Sequence, residues 1–332
     1  ALCKNTTANK NTAVGACSLF ENTTGAKNTA VGFQSLRKNT EGHYNTASGV
    51  YSMYELTTGQ YNTASGMLAM RCNTTGSFNT ASGAYALCLN TTGTYNIAVG
   101  YQALKTQASP NYNALVNSTT ANYNVAVGAC AGHANTTGDC ITALGYKALM
   151  SNTTGEGSTA LGYAAVLANT TGTNNVGVGY KALTTNTTGG ENVAVGTHAM
   201  CANTTGCDNT TIGQDSLFAN TTGCRNSSIG RAALRYNTTG KWNSGFGYTA
   251  LFNNTTGCQN TGSGAYAMYG NTTGKLNSAF GEASMKCNTS GSCNTAVGDS
   301  ALYCNTTANF NTAVGACSLF ANTTGASNTA VG

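Results

Sequence analysis

The sequence predicts an all-β fold, a parallel β-solenoid of the left-handed roll type with about 19 coils. Three observations predict it. A repeat reading Asn-Thr-Ala-Val-Gly-x-x-Ala-Leu-x-x-Asn-Thr-Thr-Gly-x-x recurs every 17 residues, with its core glycine at Gly15, Gly32, Gly49, Gly66, Gly83, Gly100 and, after an 11-residue insertion, from Gly128 to Gly332. Units this short bury no core alone and must stack. Small residues form columns: Ala or Ser follows the core glycine by three places (Ser18, Ser35, Ala148, Ala301), and a small residue precedes it by two. Glycine this frequent would cost about 1 kcal/mol per helical site, and a 17-residue helix pair is too short to stack.

Each element follows from its residues. Asn-Thr-Ala-Val-Gly alternates briefly, as a short strand does. Leu or Met after the small residue (Leu19, Met53, Leu183, Met268) adds to a thin core expected to consist mainly of Ala, Ser and Val. The asparagine opening the strand motif recurs in all copies except Ile141 and Ser158, so an amide ladder is expected along the stack. Asn-Thr-Thr-Gly makes the corner, with its glycine expected at positive φ. Ala8, Ala121 and Ala308 replace that glycine, each followed by an asparagine (Asn9, Asn122, Asn309), to which the left-handed conformation is expected to move. Residues 105–113, with the only proline, Pro110, are expected to loop out of one coil.

The repeat runs through residues 1–332 as one solenoid. Residues 1–32 match residues 301–332 at 27 of 32 positions, better than neighbouring repeats match. The chain is therefore expected to be a segment of a longer one built from a 300-residue super-repeat. Charged residues make up only 8%, and the 15 Lys and Arg are scattered singly, which argues against nucleic acid as a partner. No run of 18 apolar residues is present to span a membrane as a helix.

The corners carry N-x-S/T sequons at Asn5, Asn22, Asn73, Asn90, Asn117, Asn135, Asn152, Asn169, Asn186, Asn203, Asn220, Asn237, Asn254, Asn271, Asn288, Asn305 and Asn322. In a secreted protein these are candidate N-glycan acceptors on exposed turns. The alternative is turn chemistry copied by duplication. Leu56-Thr57-Thr58-Gly59 keeps both threonines without the asparagine, so threonine has a structural use of its own. Threonine O-glycosylation is a further option.

Fourteen cysteines in so polar a chain suit an oxidising, extracellular compartment. Disulfide candidates are Cys201 with Cys207, Cys287 with Cys293, Cys207 with Cys224, Cys287 with Cys304, and Cys72 with Cys88; these choices compete. No CxxC occurs and His43, His133 and His198 are far apart, so neither a metal nor a cofactor is expected. The histidines have no recurring Ser or Asp partner, and the glycine motifs recur in every coil, so no catalytic residue is assigned. Tyr44, Tyr61, Phe78, Tyr95 and Tyr123 precede the strand asparagine in consecutive copies, predicting an aromatic ladder that stiffens the stack or offers sugar rings a platform.

The motif Asn11-Thr12-Ala13-Val14-Gly15 and its copies, followed by a small residue such as Ser18, resembles the head repeats of trimeric autotransporter adhesins and related phage tail-fibre repeats. The resemblance implies a left-handed parallel β-roll, often trimeric, on an exported surface fibre. The repeat here is longer, carries the Asn-Thr-Thr-Gly corner and is rich in cysteine.

These readings point to a non-enzymatic structural subunit of an extracellular, glycosylated filament or fibre shaft. It would self-associate into a filament or a homo-oligomer, a trimer being one option. The rival is an adhesin head or tail-fibre segment gripping carbohydrate or a host surface. A lesser rival is ice binding through the column Thr12, Thr29, Thr46, Thr63 and Thr80.

Overall fold

The structure, a computed structural model, describes residues 1–105 and 120–332. It divides into two compact units, Ala1–Thr171 and Gly172–Gly332. The first carries β1 (Thr12–Val14), β2 (Thr29–Val31), β3 (Thr46–Ser48), β4 (Thr63–Ser65), β5 (Thr80–Ser82), β6 (Ile97–Val99), β7 (Val125–Val127), β8 (Thr142–Leu144) and β9 (Thr159–Leu161). The second carries β10 (Val176–Val178), β11 (Val193–Val195), β12 (Thr210–Ile212), β13 (Ser227–Ile229), β14 (Ser244–Phe246), β15 (Thr261–Ser263), β16 (Ser278–Phe280), β17 (Thr295–Val297), β18 (Thr312–Val314) and β19 (Thr329–Val331). Among the described residues there is no helix. Each unit is a parallel β-solenoid.

Within each unit every strand pairs with its successor in parallel, one repeat apart: Thr29 lies opposite Thr46, and Val193 opposite Thr210. The insertion does not disturb this register. Ile97 lies opposite Val125, 28 residues on, which is one 17-residue repeat plus the 11 extra residues. Residues 106–113, including Pro110, lie outside the described residues, as does Asn117.

Alternation along a three-residue strand sends its middle side chain inward and the outer two outward. Ala30, Ala47, Ala64 and Ala194 are fully or almost fully buried, whereas Val14, Val31 and Ile212 are exposed. The core therefore differs from the Ala, Ser and Val expected. Valine faces out. Inside stand alanine, the small residue of the next turn, Leu or Met (Leu36, Met53, Met200, Leu234) and two columns of asparagine. Asparagine is the chief polar residue of this interior, so its stability rests on hydrogen bonding as well as on apolar burial.

The turns between strands use left-handed backbone at non-glycine residues, three places per coil. In one coil these are Gln34 (φ 53°), Leu36 (φ 48°) and Tyr44 (φ 59°). Such residues cost roughly 1–2 kcal/mol each. The return is a set of inter-coil bonds of alternating direction. Gln34 N–H donates back to Ala16 O at 2.9 Å, Leu36 N–H forward to Ser52 O at 3.0 Å, and Tyr44 N–H back to Ala26 O at 3.2 Å. The backbone amides are thus paired along the stack even where no strand exists.

Candidate functional site

The feature that recurs in every coil and carries the densest chemistry is the Asn-Thr-Thr-Gly corner. The corner asparagine points into the coil. Asn39 Nδ2 donates to the Gly42 carbonyl at 3.1 Å and to Asn22 Oδ1 of the preceding coil at 2.7 Å. Asn237 Nδ2 does the same with Gly240 O at 3.1 Å and Asn220 Oδ1 at 2.9 Å. The strand asparagines form a second ladder beside it. Asn28 Nδ2 reaches Gly42 O at 2.7 Å, and Asn28 Oδ1 accepts from the backbone N–H of Asn45 at 2.9 Å. The corner carbonyl takes one donor from each ladder and so joins them. A third ladder runs through the first corner threonine: Thr23 Oγ1 donates to Thr40 O at 3.0 Å, and Thr57 Oγ1 to Thr74 O at 3.1 Å. The structural use of threonine inferred from Leu56-Thr57 is this bond.

The expectation that the sequon asparagines sit on exposed turns does not hold. Asn22, Asn73, Asn90, Asn135, Asn152, Asn169, Asn186, Asn203, Asn220, Asn237, Asn254, Asn271, Asn288 and Asn305 are all buried. The Nδ2 atom that would carry a sugar is a hydrogen-bond donor inside the coil. A glycan there would displace a donor and has no exit through the stacked backbone. Asn5 and Asn322 are less covered, yet Asn5 Nδ2 still donates to Ala8 O at 3.1 Å and Asn322 Nδ2 to Gly325 O at 2.9 Å. The second corner threonine faces out instead: Thr24, Thr75, Thr154 and Thr205 are exposed.

The corner glycine is not at positive φ; the core glycine is, as at Gly32 (φ 132°). The corner needs glycine for close approach. A Cβ on Gly25 would lie 2.5 Å from the Gly42 carbonyl oxygen and 2.7 Å from Asn22 Oδ1. Asn9, Asn122 and Asn309 likewise do not take the left-handed conformation expected of them. Asn122 and Asn309 use their side chains. Asn122 Oδ1 accepts from Thr94 N–H at 3.0 Å, and Asn309 Oδ1 from Ser292 N–H at 2.7 Å. They satisfy an amide of the neighbouring coil that His43 Nδ1 satisfies elsewhere, accepting from Ala26 N–H at 2.9 Å.

All fourteen cysteines are free thiols in this structure. Of the competing pairs, Cys207 and Cys224 are brought together, their Sγ atoms 3.1 Å apart. The hydrogen bond to Cys224 holds the Cys207 thiol protonated, pushing its pKa up to about 12. Cys201, on the other flank of that corner, hydrogen-bonds Thr184 instead. Cys72 N–H donates to Cys88 O at 2.9 Å, and both side chains are buried. Burial pushes the Cys88 thiol up to about 12. Cys287 and Cys304 feel each other electrostatically, and burial raises the Cys287 thiol. Cys293 is not among the groups that act on the Cys287 thiol.

The aromatic residues form a stacked column. Tyr44, Tyr61, Phe78, Tyr95 and Tyr123 have successive ring centroids 4.7, 5.1, 4.9 and 5.3 Å apart and planes within 6° of parallel. Lys27 Nζ caps the column, 4.5 Å from the Tyr44 centroid. In this arrangement each inner ring covers its neighbours' faces, so only ring edges meet solvent. A sugar stacks on a face, and the three inner rings offer none. The geometry suits stiffening rather than a sugar platform.

Some of the remaining titratable groups pair locally. Lys38 meets Glu55 at 2.6 Å, and Asp215 lies between His198 at 3.5 Å and Arg235 at 3.6 Å. Hydrogen bonds from Glu191 and Cys207, with Arg225 nearby, hold the Asp208 carboxyl below its usual value. Burial lowers His133. Among the described residues no group of three His, Cys, Asp or Glu is placed to hold a metal ion, and no helix is long and apolar enough to cross a membrane. The chain matches no protein-family model and none of the curated proteins.

Sequence reasoning singled out only part of one surface feature, the threonine column that begins Thr12, Thr29 and Thr46. The two outward positions of every strand carry only Thr, Ser, Val, Ile, Leu or Phe. No charge stands on that face, although 25 charged side chains occupy the rest of the chain. Reading each strand motif by alternation, rather than as core, would have exposed it.

Proposed function

We propose that the chain is a structural subunit of an extracellular filament or fibre shaft, with no catalytic role. The observation that carries this reading is the repetition of the same interior in coil after coil: two asparagine ladders, a threonine ladder and the parallel sheet. Chemistry invested in every coil alike supports the stack rather than one site. Titratable side chains are spread along the surface, singly or in local pairs, and do not converge among the described residues. The cysteine content and the spacing of Cys207 from Cys224 suit an oxidising exterior, where a disulfide there would cross-link adjacent coils. Any sugar coat is carried by outward threonines such as Thr24 and Thr75, not by the corner amides. The adhesin reading is weakened, because the inner ring faces of the column are covered. Electron microscopy of native material tests the proposal. Long fibres of uniform width are expected; short knobs on stalks would favour the adhesin instead.

A further inference from the structure

We propose that the outward strand face of the second unit binds a second copy of this chain, with the two faces antiparallel. This rests on the shaft reading above and deepens it, since it names the surface through which shafts associate. The third strand position in that unit reads Val178, Val195, Ile212, Ile229, Phe246, Ser263, Phe280, Val297, Val314, Val331. Ile212, Ile229, Phe280 and Val297 are about two-fifths exposed. Beside this apolar column runs an uncharged one of Thr, Ser and Val, and charged residues such as Arg225, Arg231, Glu282 and Asp299 stand outside the strands. An apolar stripe, interrupted at Ser263 and rimmed by polar groups, marks an interaction surface. No charged side chain stands on any of the ten strands to resist face-to-face association.

Size fits one such partner. Ten strands about 4.8 Å apart and a stripe roughly 12 Å wide give about 500 Å² per copy, or on the order of 1,000 Å² in total, near the lower limit for a specific interface.

The order of residues selects the antiparallel arrangement. A two-fold axis in the interface, perpendicular to the stacking direction, sets each column against itself in reverse order. With its centre between β14 and β15, Phe246 meets Ser263, Ile229 meets Phe280, and Ile212 meets Val297, each from the other copy. Large faces small at the centre, and apolar faces apolar beyond it. In the flanking column the same operation sets Tyr248 against Ala265 and Arg231 against Glu282. Arg231 and Glu282 are exposed, and among the described residues neither forms an ion pair. The operation joins them twice, once on each side of the axis, and brings no like charges together in either flanking column. A parallel two-fold would instead set the apolar column against the Thr and Ser column, leaving these pairs unmatched.

Sedimentation velocity of the reduced protein at low salt, from 1 to 100 μM, tests this. A monomer–dimer equilibrium is expected, weakened at least tenfold by Ile229→Lys or Phe280→Lys. Both positions are exposed, so the fold should survive, and circular dichroism checks that. Arg231→Glu and Glu282→Arg should each weaken the dimer about tenfold, and the double reversal should restore it to within threefold. A strictly monomeric protein overturns the proposal, as does a dimer indifferent to the lysine variants. Failure of the double reversal to rescue overturns the antiparallel register. Thermal hysteresis from a purely monomeric protein would assign the face to ice instead. The shaft reading fails separately: native fibres in micrographs alongside a monomeric recombinant unit would sink only the interface, and the absence of native fibres would sink only the shaft.

Discussion

The side-chain oxygen of Asn39 is buried and has no hydrogen-bond donor, because Leu56 stands where the next coil would supply one. Elsewhere the ladder continues, as where Asn254 Nδ2 donates to Asn237 Oδ1 at 2.8 Å. Leu56 is fully buried in the asparagine column, and beyond it Asn73 Nδ2 retains its bond to Gly76 O at 2.9 Å. An unpaired buried acceptor costs roughly 1–3 kcal/mol. Leu56→Asn should therefore stabilise the neighbouring coils by about 1 kcal/mol net, since three new hydrogen bonds and one relieved acceptor outweigh the lost apolar burial. Slower hydrogen exchange of the amides around residues 39–76 would register the gain; faster exchange would show that leucine packing dominates there.

The converse change tests the ladder itself. Asn237→Ala removes two donated hydrogen bonds and strips Asn254 Nδ2 of its acceptor. The expected cost is about 2–4 kcal/mol, localised to the flanking coils because repeat stability is a sum of neighbour terms. Denaturant melting of the second unit measures it. A loss below about 0.5 kcal/mol, the scale of an ordinary surface substitution, would show that the amides bond no better here than in water.

Burial also sets the sugar chemistry. Glycopeptide mapping of native protein should find Asn73, Asn135, Asn237 and Asn271 unmodified, with any sugar on hydroxyls such as Thr75. Occupied asparagines at these corners would mean that the folded coil differs from the one described.

Much of this was legible in the sequence, and the residues show why the rest was not. The 17-residue period and the small columns fixed the stacked strands, since only one spacing brings Gly15, Gly32 and Gly49 together. The amide ladder was legible because asparagine returned at one position. The sidedness of the corner was not. A sequon reads identically whether Asn73 points in or out, and its direction depends on backbone torsions at Met70 and Phe78 that no residue type announces. Glycine misled for a similar reason: Gly25 avoids a collision with the next coil, a constraint that exists only once coils are stacked. Pairing Cys207 with Cys224, rather than Cys201, likewise needed the direction of each side chain.

That cysteine pair carries its own expectation. Mild oxidation with glutathione disulfide should link Cys207 to Cys224 before any other pair, because their sulfurs are 3.1 Å apart. The raised Cys207 pKa keeps little thiolate at neutral pH, so the reaction should accelerate as pH rises towards 12. Non-reducing peptide mapping identifies the bond, and a Cys201–Cys207 product would contradict the geometry.

Alkali should weaken the fold through Cys88. Its folded pKa, near 12, lies above the ordinary thiol value of 9.0, so the folded state holds the proton more tightly than the unfolded one. The resulting stability is complete below about pH 9, the unfolded thiol value, and is lost as pH rises to 12. Three units set an upper limit of about 4 kcal/mol. The Cys72 thiol shifts in the same direction through burial and adds to the effect. Replacing both with alanine should flatten the stability profile between pH 9 and 12, while tyrosine ionisation remains common to both proteins. An unchanged profile would mean that water reaches these thiols.

Left-handed backbone at bulky residues leaves strain that can be removed where the side chain does no packing. Leu276 has φ 55° and is 53% exposed, and its N–H donates to Cys258 O at 3.1 Å. Asparagine tolerates this conformation better than leucine and keeps the same N–H. Leu276→Asn should raise stability by about 0.5–1 kcal/mol, within the cost of one left-handed residue. Leu251 provides the control. It has a similar φ of 54° but is fully buried, so Leu251→Asn gains the same conformational relief and loses a core side chain worth about 2–3 kcal/mol. Opposite signs for the two substitutions in denaturant melts would confirm that conformation and burial act separately at these turns. Destabilisation by both would mean that the left-handed sites carry little strain, and that the coil's inter-coil amide bonds set their geometry unopposed.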